Sequence, residues 1–205
     1  MVQFWKIYPK GFGANSYLLT ADGKHAVVID PSGVHVKNEL LSRGLTPEFV
    51  LLTHCHFDHV FGVPALVEMG AKVICLDKEQ PLVGTRADLF EAFGAPRAVF
   101  SIDETVKGGQ EFSLCGVSFT ALSTPGHTAG SAVYRLENGE TPTLFTGDTL
   151  FEGSMGRTDF PTGSGAQMAQ SLAFLRGLDG DYRIFAGHGE DTTLENERRN
   201  NPFLV

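Results

Sequence analysis

Thr53-His54-Cys55-His56-Phe57-Asp58-His59 gathers three imidazoles and a carboxylate into one short stretch. It makes a poor helix and a worse core, yet the apolar run Phe49-Val50-Leu51-Leu52 leads straight into it. That run reads as a buried strand, which puts the polar cluster at a strand end. On a turn, His54 and His56 at i and i+2 converge on one cation, while Asp58 and His59 project toward a second. A solvated polar loop is the bland alternative, and it leaves the apolar lead-in unexplained. Cys55, one step out of the two-residue alternation, points away from both histidines.

The same arrangement recurs along the chain. Phe119 to Gly126 leads to His127, Tyr182 to Gly187 leads to His188, and Thr143 to Gly147 leads to Asp148. In each case a short apolar strand ends, Gly lets the backbone come close, and a metal-competent side chain follows. Taken singly, a His after a turn is usually a surface group and Gly-Asp-Thr a helix cap. Taken together they form one donor set. His54, His56 and His127 are expected to serve one ion, Asp58, His59 and His188 another, with Asp148 able to bridge. His25 and His35 lack such a lead-in and read as solvent-facing. Imidazole and carboxylate without thiolate suit zinc first, with iron or manganese also compatible. Open coordination positions make the site catalytic rather than structural.

The surrounding chain alternates strands and helices. Strands are expected at residues 2–8, 15–21, 24–29, 49–53 and 72–76, with helices at 34–43, 63–69 and 87–93. A second half repeats the pattern with strands at 111–114, 117–123, 131–136, 143–146 and 182–186 and helices at 166–178 and 192–199. No linker or low-complexity tract interrupts residues 1–205, so one α/β domain with two packed sheets and outer helices is expected.

Composition narrows the function classes. A formal net charge of -8 and a sequence pI near 5.3 argue against a grip on nucleic-acid backbones, which needs clustered Lys and Arg. No window approaches the ~18 apolar residues of a membrane span, and the N-terminus lacks the charge and apolar pattern of a signal peptide. A cytoplasmic protein without membrane or nucleic-acid partners is expected, monomeric or a small homo-oligomer. Cys55, Cys75 and Cys115 are an odd number at wide spacings, which suits reduced thiols.

The motifs His-Cys-His-Phe-Asp-His, Pro-Gly-His-Thr, Gly-Asp-Thr-Leu-Phe and Gly-His-Gly resemble those of the metallo-β-lactamase superfamily, and within it the glyoxalase II-like hydrolases. The similarity spans nearly the whole chain and includes the loop Asp30-Pro31-Ser32-Gly33. It implies a four-layer αββα sandwich with a dinuclear site at one sheet edge, and every ligand position of the family is filled. It also implies a substrate contact at Arg157. Asp159 and Glu190 stand where the family has Tyr on glutathione, and the sequence ends at Val205 soon after His188, so the short, single-domain bacterial type II glyoxalases are the nearer resemblance. Gly-Arg-Thr-Asp-Phe and the tail Glu-Arg-Arg-Asn-Asn-Pro are also similar to persulfide dioxygenases.

The expected activity is hydrolysis of a small-molecule thioester, of the hydroxyacylglutathione hydrolase type. A hydroxide bridging two divalent ions would attack the carbonyl while Asp58 orients it and receives its proton. One alternative is a mononuclear iron persulfide dioxygenase using His54, His127 and Asp148. Another is a non-catalytic metal-binding domain.

Overall fold

In the computed structural model, which describes residues 1–204, the first half of the chain supplies one sheet and the second half the other. The first sheet holds β1 (Gln3–Ile7), β2 (Ser16–Thr20), β3 (His25–Ile29), β4 (Thr46–Leu52), β5 (Lys72–Leu76) and β6 (Glu104–Val106) in that spatial order. Its first three strands are antiparallel and its last four run parallel, with α1 (His35–Ser42) making the β3 to β4 crossover. α2 (Phe57–Val60) and α3 (Val63–Val67) lie in the β4 to β5 crossover.

The second sheet has the order β14-β13-β10-β9-β8-β7, built from β7 (Glu111–Leu114), β8 (Val117–Ser123), β9 (Ala132–Leu136), β10 (Thr143–Gly147), β13 (Arg183–Ala186) and β14 (Thr192–Thr193). A small hairpin, β11 (Leu150–Phe151) with β12 (Ser154–Met155), follows β10. α4 (Gly165–Arg176) and α5 (Leu194–Asn200) complete this half. Ser164 and Thr193 cap these two helices by accepting from the N–H groups of Gln167 and Asn196, as small hydroxyl residues do at helix starts.

Side-chain alternation builds the layers. Leu51 of β4 faces the second sheet, joining Tyr17, Ile29, Tyr134, Phe145 and Phe185 in the central core. Its neighbours Val50 and Leu52 face the other way, under Val36 and Leu40 of α1 and Val63 and Leu66 of α3. On the far side, Val133, Leu144 and Ile184 pack against Met168, Leu172 and Leu175 of α4. The result is the αββα sandwich implied by the resemblance. No helix among the described residues is long and apolar enough to cross a membrane.

Three expectations need correction. Residues 87–93 do not form a helix. Arg86–Asp88 make a 3-10 turn, Leu89 turns left-handed at φ 65°, and Asp88 accepts from the N–H of Phe90 (3.2 Å). A local aspartate turn outcompetes the helix here and lets Phe90 enter the core under α3. β6, α2, β11, β12 and β14 were not expected, all of them too short to carry a periodic signal. His35 is not solvent-facing. It is 9 % exposed, at the start of α1, with Nε2 unpartnered, and burial lowers its pKa. His25 does sit near solvent, bonded to Asp22 (2.6 Å).

Candidate metal centre

The sheet topology carries every predicted donor to one edge. β8, β10 and β13 run in the same direction, so His127, Asp148 and His188 emerge from the same ends of the second sheet. The loop after β4 meets them from the first sheet, where the Ala132 N–H donates to the Thr53 carbonyl (2.9 Å) across the two layers. Gly147 (φ 48°) turns the chain at the end of β10, and its N–H neighbour Gly187 donates to the Gly147 carbonyl (2.8 Å), drawing the Asp148 and His188 turns together. At Gly187 a Cβ would collide with Asp148 Oδ1 and lie 2.6 Å from His59 Cε1, so only glycine fits.

Two donor trios result. His54, His56 and His127 offer ligand atoms within 4.8 Å of one another, and so do Asp58, His59 and His188. Asp148 stands between them, its Oδ1 3.2 Å from His59 Nε2 and its Oδ2 3.4 Å from His127 Nε2 and 3.5 Å from His188 Nε2. Asp58 Oδ2 lies 3.2 Å from His188 Nε2. Cys55 belongs to neither trio.

Hydrogen bonds behind the rings decide which nitrogens are free. His59 Nδ1 meets Asp30 Oδ2 at 2.8 Å. Thr53 donates to the same Asp30 from both N–H (2.8 Å) and Oγ1 (2.6 Å), which leaves Thr53 Oγ1 to accept from His54 Nδ1 (3.0 Å). His127 Nδ1 donates to the Arg157 carbonyl (2.7 Å). Protons held at Nδ1 point the Nε2 lone pairs inward. The Nε2 atoms of His54, His56, His59 and His127 and Oδ1 of Asp148 are buried and have no hydrogen-bond partner.

Buried donors without partners are rare, and a divalent cation would satisfy all of these. Protonation states agree for His54 and His56 of the first trio and for Asp148. At His59 and His188 the surrounding carboxylates overcome burial and raise the pKa, so an ion there would displace a proton. Burial, then the neighbouring rings, lowers the pKa of His54, and burial takes His56 down to about 3, so both stay neutral. Burial pushes the Asp148 carboxyl up, but His59, His127 and His188 outweigh it and hold it ionised. Neutral imidazole and ionised carboxylate are the ligating forms.

The trios open into a cavity of about 320 Å³ walled by Phe57, Leu89, Phe93, Phe151, Met155 and Phe160. Arg157 is at its rim, but its guanidinium is already engaged. It makes two 2.7 Å bonds to Asp159 and stacks 3.9 Å from the ring centre of Phe160. Asp159 is held down at about 2 by that pairing. Glu190 is exposed and not among the cavity residues. Asp30 and Thr53 were not picked out as supports of the rings. Only Asp30's loop carried a signal, through the resemblance.

The family model for the metallo-beta-lactamase superfamily matches residues 9–188. The chain belongs to that metal-dependent superfamily. A hydroxyacylglutathione hydrolase, GloC of Haemophilus influenzae, is 36% identical over 202 residues, covering 94% of this chain and 93% of its own. BLEG-1, a B3 metallo-beta-lactamase of known structure, superposes with a TM-score of 0.89 at 32% identity, over 99% of this chain and all of its own. TTHA1623, solved in a di-iron-bound form, gives 0.85 at 33% identity, over 98% of this chain and 100% of its own.

Proposed function

We propose that this protein is a dinuclear metal-dependent hydrolase of thioesters, of the hydroxyacylglutathione hydrolase type. The observation that carries the reading is the pair of donor trios on either side of Asp148, with the buried Nε2 atoms of His54, His56, His59 and His127 left without hydrogen-bond partners. The kinship with GloC supports the thioester assignment, and the di-iron form of TTHA1623 supports room for two ions in such a site. Zinc, iron and manganese all suit the donors.

When bound, divalent ions supply Lewis acidity and make a water easier to deprotonate near neutral pH. The chain supplies the rest. Among the described residues the cavity wall carries no Ser, Thr or Cys, so the attacking oxygen comes from water rather than a side chain. Asp58 lines the cavity with its side chain 18% exposed, and its carboxylate orients that water and takes its proton. Phe57, Phe93 and Phe160 exclude bulk solvent around the acyl group. A thiolate leaves readily, since free thiols ionise at about pH 8.5.

The test is elemental analysis of protein purified without chelator, paired with a thioester panel. About two ions per chain, with hydrolysis that disappears on chelation and returns with divalent metal, is the expected result. His127→Ala is expected to lower the content toward one ion. Metal-replete protein inert toward every thioester would overturn the assignment, and at most one ion, iron alone, would point to the mononuclear dioxygenase.

A further inference from the structure

Glu79 follows β5 in a turn closed by its own N–H to the Leu76 carbonyl (2.9 Å), and its side chain is fully buried. A buried carboxylate normally sits with a cation. None of the partners of Glu79 is one. Oε1 accepts from the backbone N–H of Cys55 (2.8 Å) and Oε2 from the hydroxyl of Thr128 (2.7 Å), while the Gly130 N–H also bonds the carboxylate. Burial pushes its pKa up, and these donors oppose that push. With the Cys55 thiol, four donors converge on one group and demand an acceptor at each point, which ionised Glu provides and Gln does not.

The identity of the partners gives this residue its meaning. Cys55 sits between His54 and His56, and Thr128 follows His127. The 128–131 turn is closed by Ser131, whose Oγ accepts from the Thr128 N–H (3.0 Å) and lies 2.7 Å from the Thr128 hydroxyl. A Cβ on Gly130 would collide with the backbone of Lys78 and Glu79, so the turn packs directly on the Glu79 segment. Asp30 braces His59 directly and reaches the first trio only at His54, through Thr53. One carboxylate therefore ties the backbone between His54 and His56 to the turn after His127, while Asp58 and His59 lie beyond that contact in α2 and His188 lies on neither segment.

We propose that Glu79 is the positioning residue of the His54-His56-His127 trio: its carboxylate sets the spacing of the two loops and so the geometry in which those imidazoles meet a divalent ion. This rests on the metal-centre reading above. Outer-shell partners of this kind typically change metal affinity about 10- to 100-fold.

Stepwise zinc titration against a chromophoric chelator, on the full chain, tests it with Glu79→Ala, Glu79→Gln, Thr128→Val and Thr128→Ser. Glu79→Ala is expected to weaken one of two zinc sites about 10- to 100-fold and to leave the other within about twofold. Glu79→Gln should fall between, keeping the Cys55 contact while setting an NH₂ against another donor. Thr128→Val should weaken the same site, and Thr128→Ser should restore it. Cobalt(II) loading gives an independent reading, since the visible absorption of one site should change in Glu79→Ala and Thr128→Val and stay wild-type in Thr128→Ser. If Glu79→Ala does not fold, the Thr128 pair decides. Equal affinities for Thr128→Val and Thr128→Ser, or both sites weakened together in step with a lowered Tm, would overturn the assignment. Two wild-type sites indifferent to all four variants would remove it alone, whereas a wild-type chain that takes up no divalent ion would remove the metal centre with it.

Discussion

Four imidazole nitrogens aimed at one another without hydrogen bonds are an expensive feature, each buried unsatisfied group costing about 1–3 kcal/mol. Their presence gives single residues at this edge large expected effects. Asp58→Asn keeps the shape but removes the charge proposed to receive a proton, so kcat with a thioester should fall at least about a hundredfold, the usual scale for a general base. At least one metal should remain bound in elemental analysis, and near wild-type kcat would rule out this role. Gly187→Ala places a methyl group against Asp148 Oδ1 and His59, and should cost the Asp58-His59-His188 trio its ion while the chain still folds, as metal content and circular dichroism together would report. A two-ion Gly187→Ala protein would show that the edge can move aside. The donors themselves were readable because each follows its strand at once, a local pattern. Their supports were not. Asp30 reaches Thr53 across 23 positions and Glu79 reaches Thr128 across 49, and a lone acidic residue carries no sign of such a partner. His35 was misread for the same reason, since its burial comes from tertiary packing.

At the scale of elements, the strands of the central layer set the position of the edge, and their packing should dominate stability. Phe145 of β10 is fully buried, stacked 5.7 Å from Phe185 of β13 and 5.0 Å from Tyr17 of β2, and it lies two residues before the Gly147 turn. Phe145→Ala is expected to lose about 3–5 kcal/mol in urea unfolding, the range for large aromatic truncations. Phe174→Ala, at a residue of α4 that is itself 47% exposed, should stay within about 0.5 kcal/mol. Comparable losses at both positions would mean that the sheet interface is not the main store of stability. The long strands were legible from alternation and apolar runs because a half-buried strand forces that pattern. Residues 87–93 misled because Ala-Asp-Leu-Phe-Glu-Ala-Phe has helix-like apolar spacing, while Asp88 satisfies the Phe90 N–H locally and Arg97 pairs with its carboxylate from outside the segment.

Across the whole molecule, charge and the shape of the cavity act together on substrate choice. The chain carries a formal net charge of -8, and among the described residues Arg157 is the one Lys or Arg on the metal cavity wall. Its guanidinium is bound bidentately by Asp159, so an anionic thiol such as glutathione meets a neutralised pair and an apolar wall rather than a free cation. Both partners are exposed, and an exposed pair gives way to a competing ligand at modest cost. The KM for S-lactoylglutathione should accordingly lie well above that for the lactoyl thioester of a small uncharged thiol. Arg157→Ala should raise the glutathione KM only a few-fold and leave the uncharged ester unchanged. Asp159→Asn should lower the glutathione KM severalfold by freeing Arg157 to pair with substrate, and the gain should vanish in the double variant. These four proteins measured on two substrates separate the possibilities. A gain that persists without Arg157 would mean that Asp159 acts by repulsion alone, and a tight glutathione KM indifferent to both substitutions would place the anion on another surface, with Lys10 in the depression beside Asp58 the first residue to remove.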